Sequence, residues 1–448
     1  MMSVEATLLD ATQFLFSAVT LDNPQAVVRL AMLFIPFVLF IELPYFLVLT
    51  LAIFKYFFFT HVWRRDARPY QPNVSCVVTA YSEGKDVQRT IKSLAYQEYG
   101  GSIEILIMVD GATKNTATLE AARALEQTVN RLPCRKLRII PKWQRGGRVS
   151  SLNGGLALAK HEILMALDGD TSFDNDMVAA AARHLVDPNV VAVAGTLRVR
   201  NVNRNLITRF QGLEYLLSIH ATRCGLAELG AINNVSGAFG IFRTEFLRKL
   251  GGWDTGSAED INMTLRIKQY FARHPSLRIV FAPDAIGHTD VPDTWRGFFN
   301  QRLRWDGDLY YIFVRRHWRA LSPKMMGWRN FLMAMWGDVF LQLIMPFVIL
   351  TYTIGIFFDG RPGVILGVMV LVYFFYLFLT LLFFLVFLIL VSERPRKDLA
   401  LLWVVPLFPL FRYAARLWSA IALLSEIVLK SHLDSAMAPW WVLRKNKP

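Results

Sequence analysis

Ile163-Leu164-Met165-Ala166-Leu167-Asp168-Gly169-Asp170-Thr171 is the stretch on which the reading of this chain turns. Residues 163–167 form an apolar run that reads as a buried strand, and it stops abruptly at two carboxylates separated by glycine. Acids so placed stand at the carboxyl end of a strand, where open α/β sheets bind their ligands. Hard oxygen donors on a tight turn suit Mg²⁺ or Mn²⁺ held jointly with a diphosphate, because such ions keep positions open for phosphate oxygens. In isolation Asp-Gly-Asp is equally an ordinary solvated turn. The surrounding sequence decides between the two.

Outward from this segment, apolar strands alternate with helical stretches, which predicts an α/β domain with a mostly parallel, Rossmann-like sheet. Upstream, a strand over 74–80 leads through Tyr81-Ser82-Glu83-Gly84 into a helix over 87–97. A second strand, 103–109, ends in Asp110-Gly111-Ala112-Thr113 ahead of a helix over 117–132. A third, 137–140, leads to Gly146-Gly147-Arg148. Asp110 is suited to accept from the imide or ribose donors of a nucleotide, and the glycine turn with Arg148 to approach a phosphate. Each has a bland counterpart in a common turn or a surface cation, but all converge on one sheet edge.

Downstream, 177–185 reads as a helix, 190–195 as a strand and 208–224 as a helix. Val235-Ser236-Gly237-Ala238-Phe239-Gly240 is rich in small residues and lets another molecule lie close to the backbone at Gly237. Glu259 and Asp260 open a helix through 270; one acid suffices to cap it, which leaves the other for chemistry. A helix over 295–318 holds Gln301-Arg302-Leu303-Arg304-Trp305, a guanidinium for phosphate beside a flat face for a sugar ring. The same pentapeptide also suits a membrane-surface anchor.

The 448 residues carry a formal charge of +14, and 54% are hydrophobic. The apolar mass lies in 26–60 and in most of 328–429, in runs longer than the roughly 20 residues a bilayer requires. This is the pattern of an integral membrane protein. Its cations do not form a nucleic-acid tract but flank the apolar segments, at Arg64, Arg65 and Arg68, at Arg315, Arg316 and Arg319, at Arg394, Arg396 and Lys397, and at Arg444, Lys445 and Lys447. That places the polar domain on a cytoplasmic, lipid-facing surface and excludes nucleic acid as a partner. Cys76, Cys134 and Cys224 lack metal-ligand spacing and read as thiols of a reducing compartment.

Residues 1–25 show no signal-peptide pattern and read as an amphipathic or loosely ordered lead-in. The segment 26–60 is expected to cross once as a kinked helix, with Glu42 facing protein or water. The stretches 331–358 and 364–391 read as spans. For 399–429, which contains Pro406, Pro409, Arg412 and Arg416, spanning, re-entrant and interfacial placements stay open.

With the motifs Asp110, Asp168-Gly169-Asp170, Glu259-Asp260 and Gln301-Arg302-Leu303-Arg304-Trp305 in that order, the chain resembles the membrane-embedded processive family 2 glycosyltransferases, the cellulose, chitin, hyaluronan and poly-N-acetylglucosamine synthases. The resemblance implies a cytoplasmic GT-A-type domain over 61–322, including the interfacial helix 295–318, then transmembrane or interfacial helices over 323–430 and a tail over 431–448. It implies an inverting transferase that polymerises a UDP-activated sugar, UDP-GlcNAc being the first choice, and moves the β-linked polysaccharide across a bacterial inner membrane with Mg²⁺ or Mn²⁺ as cofactor. By the same resemblance Asp260 is the base and Asp168 and Asp170 hold the metal and diphosphate. Ser82, Glu83, Asp110, Arg148, Gln301, Arg302 and Arg304 meet the donor, while Gly237, Glu259 and Trp305 meet the acceptor. Ala112 and Lys114 stand where Ser and Asp are commoner, and Ser257-Ala258 replaces a frequent Thr before the acids. A single-addition transferase acting on a membrane lipid, an inactive export scaffold, and an accessory export or regulatory subunit as partner complete the expectations.

Overall fold

A computed structural model describes residues 24–62, 70–254, 257–358 and 362–434. The lead-in over 1–23, the cationic linker 64–68, the turn at 359–361 and the tail beyond 434 lie outside the described residues.

The polar part is built on an eight-stranded sheet. In chain order the strands are β1 (Val74–Ala80), β2 (Ile103–Asp110), β3 (Arg135–Lys142), β4 (Ile163–Asp168), β5 (Ser172–Phe173), β6 (Val190–Val199), β7 (Phe239–Arg243) and β8 (Arg278–Thr289). Their spatial order is β3-β2-β1-β4-β7-β6-β8-β5. The pairs β2/β3, β1/β2, β1/β4 and β6/β8 run parallel, whereas β7 is antiparallel to both β4 and β6, and β5 to β8. The sheet is therefore parallel-rich and mixed. Every residue of β1 and β2 is buried, as expected of strands covered on both faces.

The sequence pattern does not announce β7 and β8. The chain over 235–240, taken above as a close-approach segment, turns into β7 at Phe239. Strand β8 carries Pro283, which removes a ladder donor and obscures the alternation. Here the register jumps: Gly195 pairs Ala282 but Thr196 pairs Ile286, so 283–285 bulge out of the ladder. The Thr196 hydroxyl donates to the Pro283 carbonyl at 2.9 Å and so fills the gap. The helix expected over 117–132 breaks into Thr116–Arg123 and Glu126–Asn130, joined by a tight turn in which Leu125 N–H donates to the Ala122 carbonyl.

Among the described residues, four helices are long and apolar enough to cross a membrane: Met32–Thr60, Trp328–Phe358, Pro362–Leu390 and Pro395–Leu429. The first lies within a helix, α1, that runs without a break from 24 to 62. It takes a π turn over Val38–Glu42, just ahead of Pro44, which accommodates the missing N–H. The last run, whose placement the sequence left open, is helical throughout, with a tight 3₁₀ portion, Leu399–Leu407, around Pro406. It also docks on the polar domain. Arg412 meets Glu214 at 2.8 Å, the Trp418 indole donates to the Phe299 carbonyl at 2.9 Å, and Ser419 donates to Asp306 at 2.7 Å.

Candidate active site

The carboxyl ends of β1, β2 and β4 meet the first turns of two helices, α2 (Gly147–Leu158) and α4 (Glu259–Lys268), in one cleft. Helix α2 lies so close to β1 that a Cβ on Gly155 would stand 2.2 Å from Val77 Cγ1. That proximity brings Arg148, in the first turn of α2, over the strand ends.

Arg148 joins most of the predicted residues. Its side chain is only 9% exposed and pairs with both Asp168 and Glu259. It also donates to the Thr79 hydroxyl at 2.8 Å and to the Gly237 carbonyl. The Gly237 N–H in turn donates to Asp260 Oδ2 at 3.1 Å. Asp168, Arg148, Glu259, Gly237 and Asp260 thus form one continuous network. A Cβ at Gly237 would lie 2.9 Å from Glu259 Oε1, so only glycine fits that close without moving the acid.

Glu259 and Asp260 are neighbours with different partners. Asp260 Oδ2 accepts from Asn234 Nδ2 at 2.9 Å as well as from Gly237, and Oδ1 accepts from Ile261 N–H at 2.8 Å. Among the described residues no cation lies within ion-pair distance of Asp260. Ala258, just ahead of the acids, is held in the left-handed region at φ 49° and ψ 42°, a strained conformation for an alanine that turns the first helical residues toward the cleft.

Just beyond β4, Asp170 accepts from Thr171 at 3.2 Å and faces Glu83, whose Oε2 is buried without a hydrogen-bond partner among the described residues. Burial raises the Glu83 carboxyl above its ordinary range, and the charge of Asp170 adds to the shift. An orphaned buried carboxylate oxygen beside two strand-end acids is a donor set that fits a hard divalent cation. Among the described residues no group of three or more acids, imidazoles or thiols forms a complete metal cage. Phosphate oxygens would have to complete the shell. Ser82 is exposed, with φ at 73°.

Asp110 is engaged more fully than its sequence context suggests. Its carboxylate accepts from Lys142 Nζ at 2.8 Å, Gly146 N–H at 2.9 Å and Gly147 N–H at 2.8 Å. It fixes the 142–148 loop. Arg302 is likewise committed: it pairs with buried Glu214 and stacks on Trp305 at 4.8 Å, while Arg412 takes the other Glu214 oxygen. Arg304 makes no hydrogen bond or ion pair among the described residues, and Gln301 Oε1 is buried without a partner. Trp305 packs against the core cluster that contains Phe173, Tyr215 and Phe239.

Sequence reasoning missed Thr79, Asn234, Glu214 and Lys142. Thr79 and Asn234 carry no motif. Glu214 sits inside a helix, α3, that runs from 206 to 228 through a π segment at Tyr215–Ala221, and a lone acid in such a helix gives no sign that it will meet two arginines.

Residues 72–307 match the profile of the family described as Glycosyltransferase like family 2. A poly-beta-1,6-N-acetyl-D-glucosamine synthase of Staphylococcus epidermidis is 28% identical over 264 residues, covering 56% of this chain and 58% of that protein. The synthase of the same name from Staphylococcus aureus strain COL is 26% identical over 255 residues with the same coverage, 56% and 58%. The chain therefore spans little more than half the length of these curated relatives. Among solved structures, the mannosyltransferase PcManGT of Pyrobaculum calidifontis, in complex with GDP-Man and Mn²⁺, superposes with a TM-score of 0.50 at 19% identity, covering 86% of this chain and 99% of that one. This likeness is one of fold, the GT-A type.

Proposed function

The chain belongs to glycosyltransferase-like family 2, and from that premise we propose that it is an inverting, processive hexosyltransferase that polymerises UDP-GlcNAc into a β-linked polysaccharide. The observation that carries the reading is the network joining Asp168, Arg148, Glu259, Gly237 and Asp260 in one cleft. The names of the curated relatives support the donor. The four apolar helices support an exit route through the chain's own membrane segments, and the cations that flank those segments in the sequence favour the cytoplasmic side of a bacterial inner membrane for the catalytic domain.

In this mechanism Asp260 takes the proton from the acceptor hydroxyl. The freed oxygen attacks the anomeric carbon, a new C–O bond forms, and the bond to UDP breaks with its electron pair leaving on the diphosphate; the anomeric centre inverts. Asn234 and Gly237 hold Asp260 toward the hydroxyl. Asp168 and Asp170, with Glu83 beside them, would hold Mg²⁺ or Mn²⁺ with the donor diphosphate, and a bound divalent ion supplies positive charge to the leaving group. Arg148, Arg304 and Gln301 face the same diphosphate. Arg302, tied to Glu214, supports Trp305 as the acceptor's stacking surface. Asp110 shapes the loop that receives the uridine, and Ser82 lines its rim.

The test is to incubate the purified protein with UDP-GlcNAc and Mg²⁺ or Mn²⁺ and to follow UDP release and product size. A long N-acetylglucosamine polymer is expected. A single sugar on lipid would overturn the polymer reading, and turnover of a different donor alone would overturn the choice of sugar.

A further inference from the structure

The segment 231–236, which supplies Asn234, lies in neither helix nor strand, so side-chain contacts fix its course. On one side it is tied to α4, the helix that carries the proposed base. Asn234 Nδ2 donates to Asp260 Oδ2 at 2.9 Å, and Val235 N–H donates at 2.9 Å to the Thr264 hydroxyl, which itself donates to the Asp260 carbonyl at 2.8 Å. On the other side Asn233 Nδ2 donates to Asp338 Oδ1 at 3.3 Å. Two adjacent asparagines thus hold the base and a carboxylate of the apolar Trp328–Phe358 helix.

Asp338 is out of character with its helix. It is 5% exposed and forms no ion pair among the described residues. A carboxylate buried in a helix apolar enough to span a membrane is costly, and such groups mark functional positions. The helix takes a π course over Ala334–Ile344 around it, a departure that also gathers at functional positions. The turn that presents Asp338 is clamped to α1. The Trp336 indole donates to the Ile41 carbonyl at 2.9 Å, its ring meets Tyr45 edge-on with centroids 5.4 Å apart, and a Cβ on Gly337 would stand 2.7 Å from Tyr45 Oη. Earlier in the same helix Arg329 lies against the start of the loop, since a Cβ on Gly230 would stand 2.7 Å from its Nη2. The apolar helices therefore give the 230–234 stretch a fixed footing, and Asp338 is where a side chain of the loop grips it.

We propose that Asp338 is a positioning residue for the base: it holds Asn233, and through the adjoining Asn234 it fixes the orientation of the Asp260 carboxylate toward the acceptor hydroxyl. This rests on the transferase reading above and extends it from the cleft into a membrane helix. Asp338 touches neither donor nor acceptor in this role, so its loss lowers turnover and leaves donor binding intact.

The experiment is a double-variant cycle on the full-length chain in detergent, comparing the wild type, Asp338→Leu, Asn234→Ala and the two combined, with UDP release from UDP-GlcNAc and direct binding of UDP measured on each. Asp338→Leu is expected to lower kcat by about 10- to 10²-fold, the effect of a misplaced reacting group, with donor KM and UDP affinity moving by less than about twofold. The combined variant should be no slower than Asn234→Ala alone, because both changes break one chain of contacts. Losses that multiply, or a fall in UDP affinity equal to the fall in rate, would overturn the proposal, since general damage to the fold gives either. Asp338→Asn keeps an acceptor oxygen for Asn233 and should recover kcat to within about threefold of the wild type; an Asp338→Asn variant as slow as Asp338→Leu would overturn it. Should Asp338→Leu not fold, Asn233→Ala replaces it in the cycle. Deuterium uptake by the 231–238 amides is measured without donor. Faster uptake there in the variant than in the wild type supports the proposal, and equal uptake overturns it. A wild type that does not turn over UDP-GlcNAc would refute the donor reading separately, and the uptake would still judge Asp338.

Discussion

Asp260 and Glu259 share a helical turn, yet their surroundings divide the labour. Glu259 is neutralised by Arg148, whereas Asp260 is held only by N–H groups of the 234–237 loop and its own helix. Asp260→Asn keeps one acceptor oxygen for the Asn234 and Gly237 donors, gives up the one that receives Ile261 N–H, and removes the proton acceptor. UDP release is expected to fall by about 10²–10⁴-fold in a variant that still folds; release at wild-type rate would remove Asp260 as the base. A second prediction concerns Asp308, which receives a hydrogen bond from Ser257, next to the strained Ala258. Burial pushes the Asp308 carboxyl up to about 7, with Arg304 opposing the shift and Glu259 and Asp260 adding to it. Against an unfolded value of about 3.9, the folded chain holds this proton more tightly, so the contribution is full below about pH 4 and is lost as pH rises through about 7. UDP release should therefore decline above neutrality, and Asp308→Asn, a mimic of the neutral acid, should extend the plateau. A wild-type profile flat from about pH 6 to about pH 8.5 would refute this.

At the scale of elements, the site depends on how closely helices approach strands and on where each helix begins. Gly155 lets α2 settle on β1 and so carries Arg148 to Asp168. In Gly155→Ala the new Cβ meets the branched, fully buried Val77, and overpacking of this kind costs about 1–3 kcal/mol. A lower thermal midpoint with a parallel loss of donor affinity is expected. An unchanged donor affinity would show that α2 does not set the position of Arg148. Motif order and strand alternation made β1 to β4 legible, because their apolar runs are continuous and their acids fall at the strand ends. Strand β8 was not legible, since its bulge over 283–285 and its proline erase the period on which such a reading depends.

At the scale of the molecule, polar and apolar parts are joined by buried charges. Arg198 of β6 holds Asp398, at the start of the last apolar helix, through two hydrogen bonds of 2.8 and 3.2 Å. Ser392 donates to the same carboxylate at 2.6 Å. Glu214 binds Arg302 on one side and Arg412 on the other. Lys268, at the far end of the helix that carries Asp260, is 1% exposed; burial lowers its pKa to about 8, and the charge of Asp338 in the Trp328–Phe358 helix opposes the shift. Asp398→Ala leaves Arg198 buried and alone, which is expected to cost about 3–5 kcal/mol, whereas the double variant Arg198→Met/Asp398→Leu should recover most of it. Thermal unfolding in detergent checks both, and a double variant no better than the single would refute the pairing.

The sequence by itself determined the α/β domain, the long apolar helices and the order of acids and arginines, because strand alternation, hydropathy and turn chemistry are local properties. Only the tertiary structure decided how those residues share one cleft. Arg148 reaches acids 20 and 111 positions away, and Arg302 is drawn to Glu214 instead of standing free. Such partnerships depend on which buried charges come within a few ångströms of each other once the sheet and helices pack, and no local pattern encodes that distance.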